Sequence, residues 1–492
     1  MEATAQYHSR MLIFILAAAQ LPVLIMLALS PDSFLGCCLI LAGWLLIIAL
    51  QRHLEKVMLL VLLLIAWFPE FSQTEDAWSA EEFKSLYNYK PLGFLTASIF
   101  DYLFLAVLIV WIVKVAAPRG RELLRLPLVK EMVGFLCVSI FSLGFGLAKG
   151  YPAYYALREF RVSACFVCVF LMWISTVDSE PKIRQFAWTA AGIAFVVGGY
   201  GIVRFSLGMG KEYYDTLLVY YDIADSMVLF LGLFVLISLS YARKISWIVA
   251  GALAVPMVFS LLLSYRRGAW IACVVGLIAL VRVQSRRARK RALGRWLIPA
   301  MGVVTIIVAL NASKASSLVV ERVQSIMDTS DDPSNVFRIM DALNALTTFA
   351  KHPVAGVGFG GKYDVEYTSS QVTDEFWDSV DRASHNGYLY ILYKMGLIGF
   401  IAYVAVLWRF WRVWRAARQG VLHETYASAM VYACGIGAFA ILINNMTSPV
   451  TDSLRPAILL AITMGCVVSG VITRDRVRRQ SLRMTDAGPC VH

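Results

Sequence analysis

The sequence predicts an all-α, polytopic membrane protein with a helical cap outside the bilayer. The chain has 492 residues, of which 59% are hydrophobic and 16% are charged, and its mean hydropathy is +0.67. A soluble domain carries about 25% charged residues, so this composition excludes an ordinary soluble protein. The apolar residues also occur in blocks, and about 20 consecutive apolar residues cross a bilayer as a helix. We therefore expect 12–14 transmembrane helices.

The apolar blocks define fourteen candidate spans, of which the third and the tenth are short. The first block has no basic leader and no small-residue cleavage site, so we expect it to be retained as a span. The predicted spans are 11–29, 34–50, 57–71, 92–116, 131–147, 161–177, 185–207, 223–240, 246–263, 268–281, 296–310, 387–408, 427–446 and 457–473.

Lysine and arginine are distributed unequally between the two sets of loops. If the N-terminus lies inside, 28 of the 45 Lys and Arg residues fall on one side. Cytoplasmic loops retain basic residues, so this side is predicted to be the cytoplasm, and both termini lie there. The net charge of +12 is therefore mainly a topology signal. The basic loop 282–295 indicates contact with anionic membrane lipid, and we predict no nucleic-acid partner.

The cysteines favour no disulfide framework outside the cytoplasm. Eight of the nine lie inside predicted spans, and Cys490 lies in the C-terminal tail. The sequence also lacks zinc-ligand spacing, a phosphate-binding loop and an internal repeat of the kind that builds two-halved transporters.

One predicted outward loop, 311–384, is far longer than the others. Loops of this length are usually functional or disordered. Asp332-Pro333-Ser334 is a helix-start signal, and the apolar residues that follow at helical spacing predict an amphipathic helix. The expected regions are N-terminal transmembrane helices at 1–310, a periplasmic cap at 311–384, C-terminal transmembrane helices at 385–473 and a cytoplasmic tail at 474–492.

A glycine-rich stretch, HPVAGVGFGGKY, follows the predicted cap helix. Two interpretations are open. The glycines either pack backbone closely against neighbouring helices, which we favour, or form a turn whose free N–H groups face an anion. The stretch is not a dinucleotide-binding fingerprint, because no strand–helix–strand pattern surrounds it.

A polar pair, His385 and Asn386, stands at the start of the twelfth predicted span, in a chain with only six histidines. The positive end of a helix disfavours the imidazolium and lowers a histidine pKa. Because a neutral imidazole accepts a proton, His385 is a candidate general base. The alternative is a histidine that only caps the helix or contacts lipid headgroups. We expect either Ser384 or Asn386 to cap this helix.

Arginines collect at the predicted outward ends of the spans, where the positive-inside rule makes them unusual. Each one alone is explained by snorkelling or by pairing with an acid such as Glu159. As a set they favour an anionic ligand, because the guanidinium fork matches phosphate oxygens. The candidate ligand-binding residues are Arg161, Arg204, Arg266, Arg267, Arg338 and Asn386.

A neutral base beside an arginine cluster at the outer leaflet suits one reaction. A hydroxyl acceptor loses its proton to His385 and attacks the sugar carbon of a lipid-borne diphosphate. The arginines stabilise the departing diphosphate electrostatically. No nucleotide is required, since the activated leaving group supplies the driving force.

Four motifs carry a resemblance to a known family. They are the HN–x–x–L pattern with a following GxxG (His385, Asn386, Leu389, Gly396 and Gly399), the Phe337-Arg338 start of the cap helix, the turn with His352, Pro353, Gly356, Gly358 and Gly360, and Ser264-Tyr265-Arg266-Arg267-Gly268. Over residues 185–470, the chain resembles the O-antigen ligase / O-antigen polymerase superfamily of bacterial membrane glycosyltransferases.

This resemblance implies a GT-C-type fold and an undecaprenyl-diphosphate-linked glycan donor. It also implies inversion at the anomeric carbon without a metal or other cofactor, in the bacterial inner membrane with a periplasmic active site. His385 would be the base. Arg338, with either Arg266 or Arg267, would contact the diphosphate or the acceptor.

Several activities remain open. The number of spans and the additional N-terminal block favour a polymerase of O-antigen or exopolysaccharide repeat units, and a ligase that transfers the glycan to lipid A-core is the main alternative. A glycolipid flippase or transporter would need charged residues near mid-membrane, for which Asp101 and Lys394 are the candidates. A metal-dependent oligosaccharyltransferase would use acids such as Glu75 and Asp76, whose acidic loop is more simply interpreted as solvated.

Overall fold

The computed structural model describes most of the chain and leaves its N-terminus and several loops aside. The residues described are 34–50, 53–67, 98–208, 211–213, 216–218, 223–283, 333–368, 382, 384–419, 425–448 and 450–486. The predicted spans 11–29 and 296–310 lie outside these residues, as do Glu75, Asp76 and the parts of the predicted cap at 311–332 and 369–381.

The described part of the chain is helical apart from one small hairpin. A π-helix, Ile112–Ala116, joins α3 to α4, and β1 (Lys211–Tyr213) pairs antiparallel with β2 (Thr216–Leu218). The α-helices are α1 Phe34–Leu50, α2 Leu54–Trp67, α3 Ile99–Trp111, α4 Ala117–Leu123, α5 Val129–Ala148, α6 Ala153–Thr176, α7 Glu180–Ser206, α8 Ile223–Tyr241, α9 Trp247–Leu262, α10 Arg267–Val283, α11 Pro333–Lys351, α12 Gly387–Gln419, α13 Tyr426–Asn444 and α14 Leu454–Asp486.

The helices confirm the prediction of an all-α, polytopic membrane protein. Within the described residues, seven helical segments are long and apolar enough to cross a bilayer. Twelve of the predicted spans coincide with helices, and the other two lie outside the described residues. The cap helix predicted from its start signal is also present, as α11.

Three helices form the centre of the bundle. Between 83% and 89% of the apolar windows of α8, α13 and α14 is buried, whereas the figures for α5 and α7 are 28% and 39%. A helix that is apolar on all sides is stable only when protein or lipid surrounds it. The first three are therefore the protein core, and the other two present apolar side chains to the bilayer.

A buried ion pair fixes two of these central helices at one end. Arg455, fully buried at the start of α14, lies 2.7 Å from Asp225 in the first turn of α8. Its guanidinium also donates to the carbonyl oxygens of Ile65 and Ala66 at the end of α2. A charge inside a membrane protein is costly unless it is paired and hydrogen-bonded, so this arginine joins three helices.

The bundle has two distinct ends. At one of them, which we call the cap end, α11 lies beside the turn 264–267 and the start of α12, which bonds to residues 445–448 and 450–453. The bonds that join these parts run from Gly387 N–H to Asn445 O (2.9 Å), from Thr451 Oγ1 to Gly387 O (2.9 Å) and from Arg267 to Asn335 Oδ1 (3.4 Å). At the opposite end, Arg476 pairs with Asp178 at 3.0 Å.

Helix α12 is broken at Gly396, where φ is +62° and ψ is −164°. The apolar run that predicts this span gives no sign of the break. The backbone groups that the break frees bond to the glycine segment, which we define as residues 353–361. These bonds are Val357 N–H to Tyr393 O (2.8 Å), Gly358 N–H to Lys394 O (2.9 Å), Leu397 N–H to Pro353 O (2.9 Å) and Ile398 N–H to Val354 O (3.3 Å). An interrupted membrane helix is tolerated when neighbouring protein satisfies its backbone in this way.

The glycine segment is packed tightly, as we favoured from the sequence. A Cβ on Gly358 would lie 2.9 Å from the Cα of Gly146 in α5, and a Cβ on Gly356 would lie 2.5 Å from the carbonyl of Lys394. Both glycines also have positive φ, +69° at Gly356 and +93° at Gly358. Only glycine combines this backbone conformation with so close an approach.

Candidate functional site

The loop before α12 holds His385 at the cap end. Asn386 caps the helix, because its Oδ1 accepts from the N–H groups of Tyr388 (3.0 Å) and Leu389 (3.2 Å). The His385 ring lies edge-on to Phe337, with centroids 5.1 Å apart, and its side chain is 36% exposed. The imidazole is therefore held in place by the cap helix and remains accessible to a ligand.

The other candidate cap, Ser384, has a different role. Its Oγ donates to Oδ2 of Asp341 at 3.1 Å, and the backbone N–H of His385 donates to the same oxygen at 2.8 Å. Asp341 lies on α11 and is only 2% exposed. Burial raises its pKa to about 6, although bonds from His385, Ser384 and Tyr363 and the charge of Arg338 oppose the rise.

Asp341 is not among the predicted site residues, although the sequence carries a signal for it. Phe337, Asp341, Asn344, Ala345 and Thr348 are the buried residues of one face of α11. An acidic residue on the buried face of an amphipathic helix is unusual, because carboxylates are seldom buried without a partner. That position alone marks Asp341 for attention.

The surroundings of His385 favour its neutral form. Partial burial of the ring, then the charges of Arg338 and Arg266, lower the pKa of His385 from 6.5 to about 4. The direction is the one predicted from the sequence. The cause of the lowered pKa differs from the predicted one. The charges that act on the ring come from α11 and from the turn before α10, not from the positive end of α12. At neutral pH the ring can accept a proton.

Three of the predicted arginines converge on this region. Arg338 and Arg266 both act electrostatically on His385, and Arg267 donates to Oδ1 of Asn335 at 3.4 Å. Asn335 and Arg338 lie one turn apart on α11, so the cap helix carries one of these guanidinium groups and binds that of Arg267, while Arg266 acts on His385 from the turn before α10.

The other two predicted arginines lie on different helices and engage other groups. Arg161 of α6 pairs with Asp101 of α3 at 2.9 Å, and both side chains are about one-fifth exposed (17% and 21%). Arg204, near the end of α7, is buried, and its guanidinium lies 5.7 Å from the centre of the Tyr200 ring. Cation–π and ion-pair contacts of this kind hold a charge at the membrane edge.

A second buried ion pair lies beneath the glycine segment. Nζ of Lys394, fully buried in α12, is 2.7 Å from Oε1 of Glu159 and 2.6 Å from the carbonyl oxygen of Gly361. The N–H of Gly360 donates to the other oxygen of Glu159 at 2.8 Å. Glu159 thus pairs with a lysine, whereas the sequence analysis considered it as a partner for an arginine. The pair fastens the glycine segment to α6 and α12.

A small apolar cleft, of about 20 Å³, lies between α5, α6, α12 and α14. Its lining includes Phe135, Phe166, Tyr390, Tyr403, Thr451 and Leu460. Thr451 also bonds to the first residue of α12, which places one end of the cleft next to the loop that carries His385.

The described residues contain no group of three or more His, Cys, Asp or Glu side chains arranged to hold a metal ion. Around His385 the structure brings together an imidazole, a buried carboxylate and the guanidinium groups of Arg266, Arg267 and Arg338. Such a set can accept one proton and bind one anion.

Comparison with known proteins adds one finding. Residues 252–404 match a family model described as O-antigen ligase. The matched region runs from α9 into α12 and includes Arg266, Arg267, Arg338 and His385. No curated protein matches the chain.

Proposed function

We propose that this chain is a polysaccharide polymerase. The premise is that it carries an O-antigen ligase domain and belongs to the O-antigen ligase/polymerase superfamily. The chain would join undecaprenyl-diphosphate-linked repeat units of an O-antigen or exopolysaccharide at the periplasmic face of the bacterial inner membrane. One observation carries this proposal. A histidine with a lowered pKa stands at a helix start, accessible, and beside Arg338 and Arg266.

The reaction follows from these groups. A sugar hydroxyl of the acceptor loses its proton to the neutral ring of His385, and its oxygen forms a bond to the anomeric carbon of the donor. The bond from that carbon to the diphosphate oxygen breaks, and the diphosphate keeps the electron pair. Attack opposite to the leaving group inverts the anomeric centre. His385 then releases its proton to water.

The arginines stabilise the leaving group in this scheme. A diphosphate gains negative charge as its bond to carbon breaks, and guanidinium groups already in position bind that charge without reorganising. Arg338 and Arg266 are the best candidates, because they also act on His385. Arg267, held at Asn335, and the amide of Asn386 are further candidates for contact with the glycan.

The apolar surface of the bundle supports a lipid-linked substrate. A polyprenyl chain that lies in the bilayer against this surface would bring its diphosphate to the membrane edge. Bilayer lipid is the other partner that the apolar surface requires.

The second candidate function is an O-antigen ligase that transfers the finished glycan to lipid A-core. The description of the matched family favours it. A transporter is less well supported, since its two candidate charges are each paired, Asp101 with Arg161 and Lys394 with Glu159.

A single assay separates these functions. The purified full chain is reconstituted in vesicles with one synthetic undecaprenyl-diphosphate-linked repeat unit. A ladder of longer glycans supports the polymerase. Transfer only after lipid A-core is added supports the ligase instead. Export of the glycolipid without a new glycosidic bond contradicts both.

Replacement of the base tests the site directly. We expect His385→Ala to lower the transfer rate by about 100- to 10,000-fold, because a positioned general base contributes that much. Binding of the same glycolipid should stay within about twofold. His352→Ala, at an exposed position of the same cap, is the matched control and should leave the rate unchanged. Undiminished transfer by His385→Ala would contradict the assignment.

A further inference from the structure

The carboxylate of Asp341 contacts the loop of His385 at three points. Oδ2 accepts from the backbone N–H of His385 (2.8 Å) and from Ser384 Oγ (3.1 Å), and it lies 3.8 Å from Nδ1 of the His385 ring. The first two bonds fix the loop. The third distance is too long for a hydrogen bond, but a carboxylate at this distance attracts the ring once the ring is protonated.

We propose that Asp341 is a positioning residue for the base, which turns Nδ1 of His385 toward its carboxylate and leaves Nε2 for the acceptor hydroxyl. This inference rests on the proposed function for its catalytic meaning. When Nε2 takes the proton of the hydroxyl, the ring carries Nδ1–H toward Oδ2 and becomes an imidazolium. The carboxylate then stabilises that positive charge.

The charges of the nearby arginines explain why the base needs a carboxylate such as that of Asp341. Arg338 and Arg266 both disfavour the imidazolium, and they are the groups that the scheme assigns to the leaving diphosphate. A base in that field stays neutral at rest but accepts a proton reluctantly. A buried carboxylate on the other nitrogen offsets this effect during the reaction, as a carboxylate does for the histidine of a serine-protease triad.

The Asp341→Asn variant removes the charge of the carboxylate but keeps the hydrogen bonds that support the loop of His385. The amide oxygen can still accept from Ser384 and from the His385 backbone, so the loop keeps its two bonds. The negative charge is lost, so this oxygen attracts Nδ1–H less strongly and the preference for that tautomer weakens. We expect kcat at pH 7.5 to fall at least tenfold while KM and the unfolding temperature change little. Asp341→Ala, which removes the bonds as well, should also lower the unfolding temperature.

The pH profile distinguishes this role from simple support. The groups that face Asp341 are His385, Ser384, Tyr363 and Arg338, together with Tyr393 of α12. The raised pKa of Asp341 is about 6, so its charge is present above that pH and is lost as the pH falls through it. Wild-type kcat should therefore fall between pH 7.5 and pH 5, whereas kcat of Asp341→Asn should be flat and low over the same range. A residue that only supports the loop would leave both profiles parallel.

A measurement without turnover keeps the inference independent of the proposed function. Nitrogen NMR of the full chain labelled at histidine, with His385→Ala to identify the signal, should show the Nδ1–H tautomer at pH 7.5. Asp341→Asn should shift the ring toward Nε2–H. The inference is overturned if tautomer and kcat are both unchanged in Asp341→Asn. If instead His385→Ala keeps full activity, the proposed function fails while the tautomer result stands by itself.

Discussion

At the residue scale, the protonation state of His385 depends on groups that are distant in sequence. Its backbone N–H bonds to a carboxylate 44 residues away, and the arginines that lower its pKa come from the cap helix and from the turn before α10. The local sequence predicted a neutral ring from the helix start. Arg338, Arg266 and Asp341 surround the ring. The arginines can bind an anion there, and the ring itself can accept a proton.

Charge reversal at Arg266 tests this surrounding. We expect Arg266→Glu to weaken binding of the undecaprenyl-diphosphate-linked unit at least tenfold, because a charge-assisted bond contributes about 1.5–3 kcal/mol. It should also raise the pKa of His385 above its value of about 4, since one of the charges that disfavour the imidazolium is removed. Titration of the histidine NMR signal measures the second effect.

The matched control lies on the same helix. Arg282 stands in the last turn of α10, whereas Arg266 directly precedes the first turn, so Arg282→Glu reverses a charge at the opposite end of the bundle. It should change neither donor affinity nor the pKa of His385. Equal effects of the two substitutions would indicate a general influence of net charge.

At the element scale, the broken helix α12 and the glycine segment form one unit. Each supplies the hydrogen-bond partners that the other lacks, and the ion pair of Lys394 with Glu159 joins both to α6. This arrangement fixes the end of the cap helix against the membrane bundle. The cap helix in turn carries Arg338 and Asp341, so the position of the site depends on the break at Gly396.

A methyl group at Gly396 should disrupt this unit. The residue has a φ of +62°, and a Cβ would lie 2.3 Å from the carbonyl oxygen of Val354. We expect Gly396→Ala to cost about 2 kcal/mol or more and to lower both the unfolding temperature and the transfer rate. Gly192→Ala in α7, where a Cβ meets open space, is the control and should be neutral or slightly stabilising. Equal unfolding temperatures for the two variants would count against the proposal that α12 and the glycine segment form one unit.

At the scale of the whole molecule, the bundle has a cap end that gathers the site and an opposite end that the loop charges assign to the cytoplasm. The fold itself does not distinguish the two faces of a membrane. The assignment of the cap end to the periplasm therefore depends on the positive-inside rule and stays a prediction.

Labelling from one side tests this orientation. His352→Cys lies on the exposed surface of the cap, and Arg119→Cys lies on the exposed surface of α4 toward the opposite end. In intact spheroplasts, a membrane-impermeant maleimide should label the first variant, and it should label the second only after the membrane is broken. The reverse pattern would place the site in the cytoplasm and exclude a periplasmic reaction.

The sequence by itself determined the solvent and the fold class, and it supplied the candidate site residues. Apolar blocks, helix periodicity and cap signals are local properties of the chain, because hydrophobic length and backbone capping involve neighbours within a few residues. The seven spanning helices of the described residues, the cap helix at Pro333–Lys351 and the Asn386 cap follow from them.

Only the tertiary structure decided which of those residues meet. Arg338 and Arg266 reach His385, whereas Arg161 pairs with Asp101 on another helix. The contact of the Asp341 carboxylate with the loop of His385 is visible only in the folded chain. Lys394 likewise pairs with Glu159, which lies 235 residues away in the sequence. The physical reason is that burial and charge act through space, so a pKa or an ion pair depends on packed helices rather than on neighbouring residues in the chain.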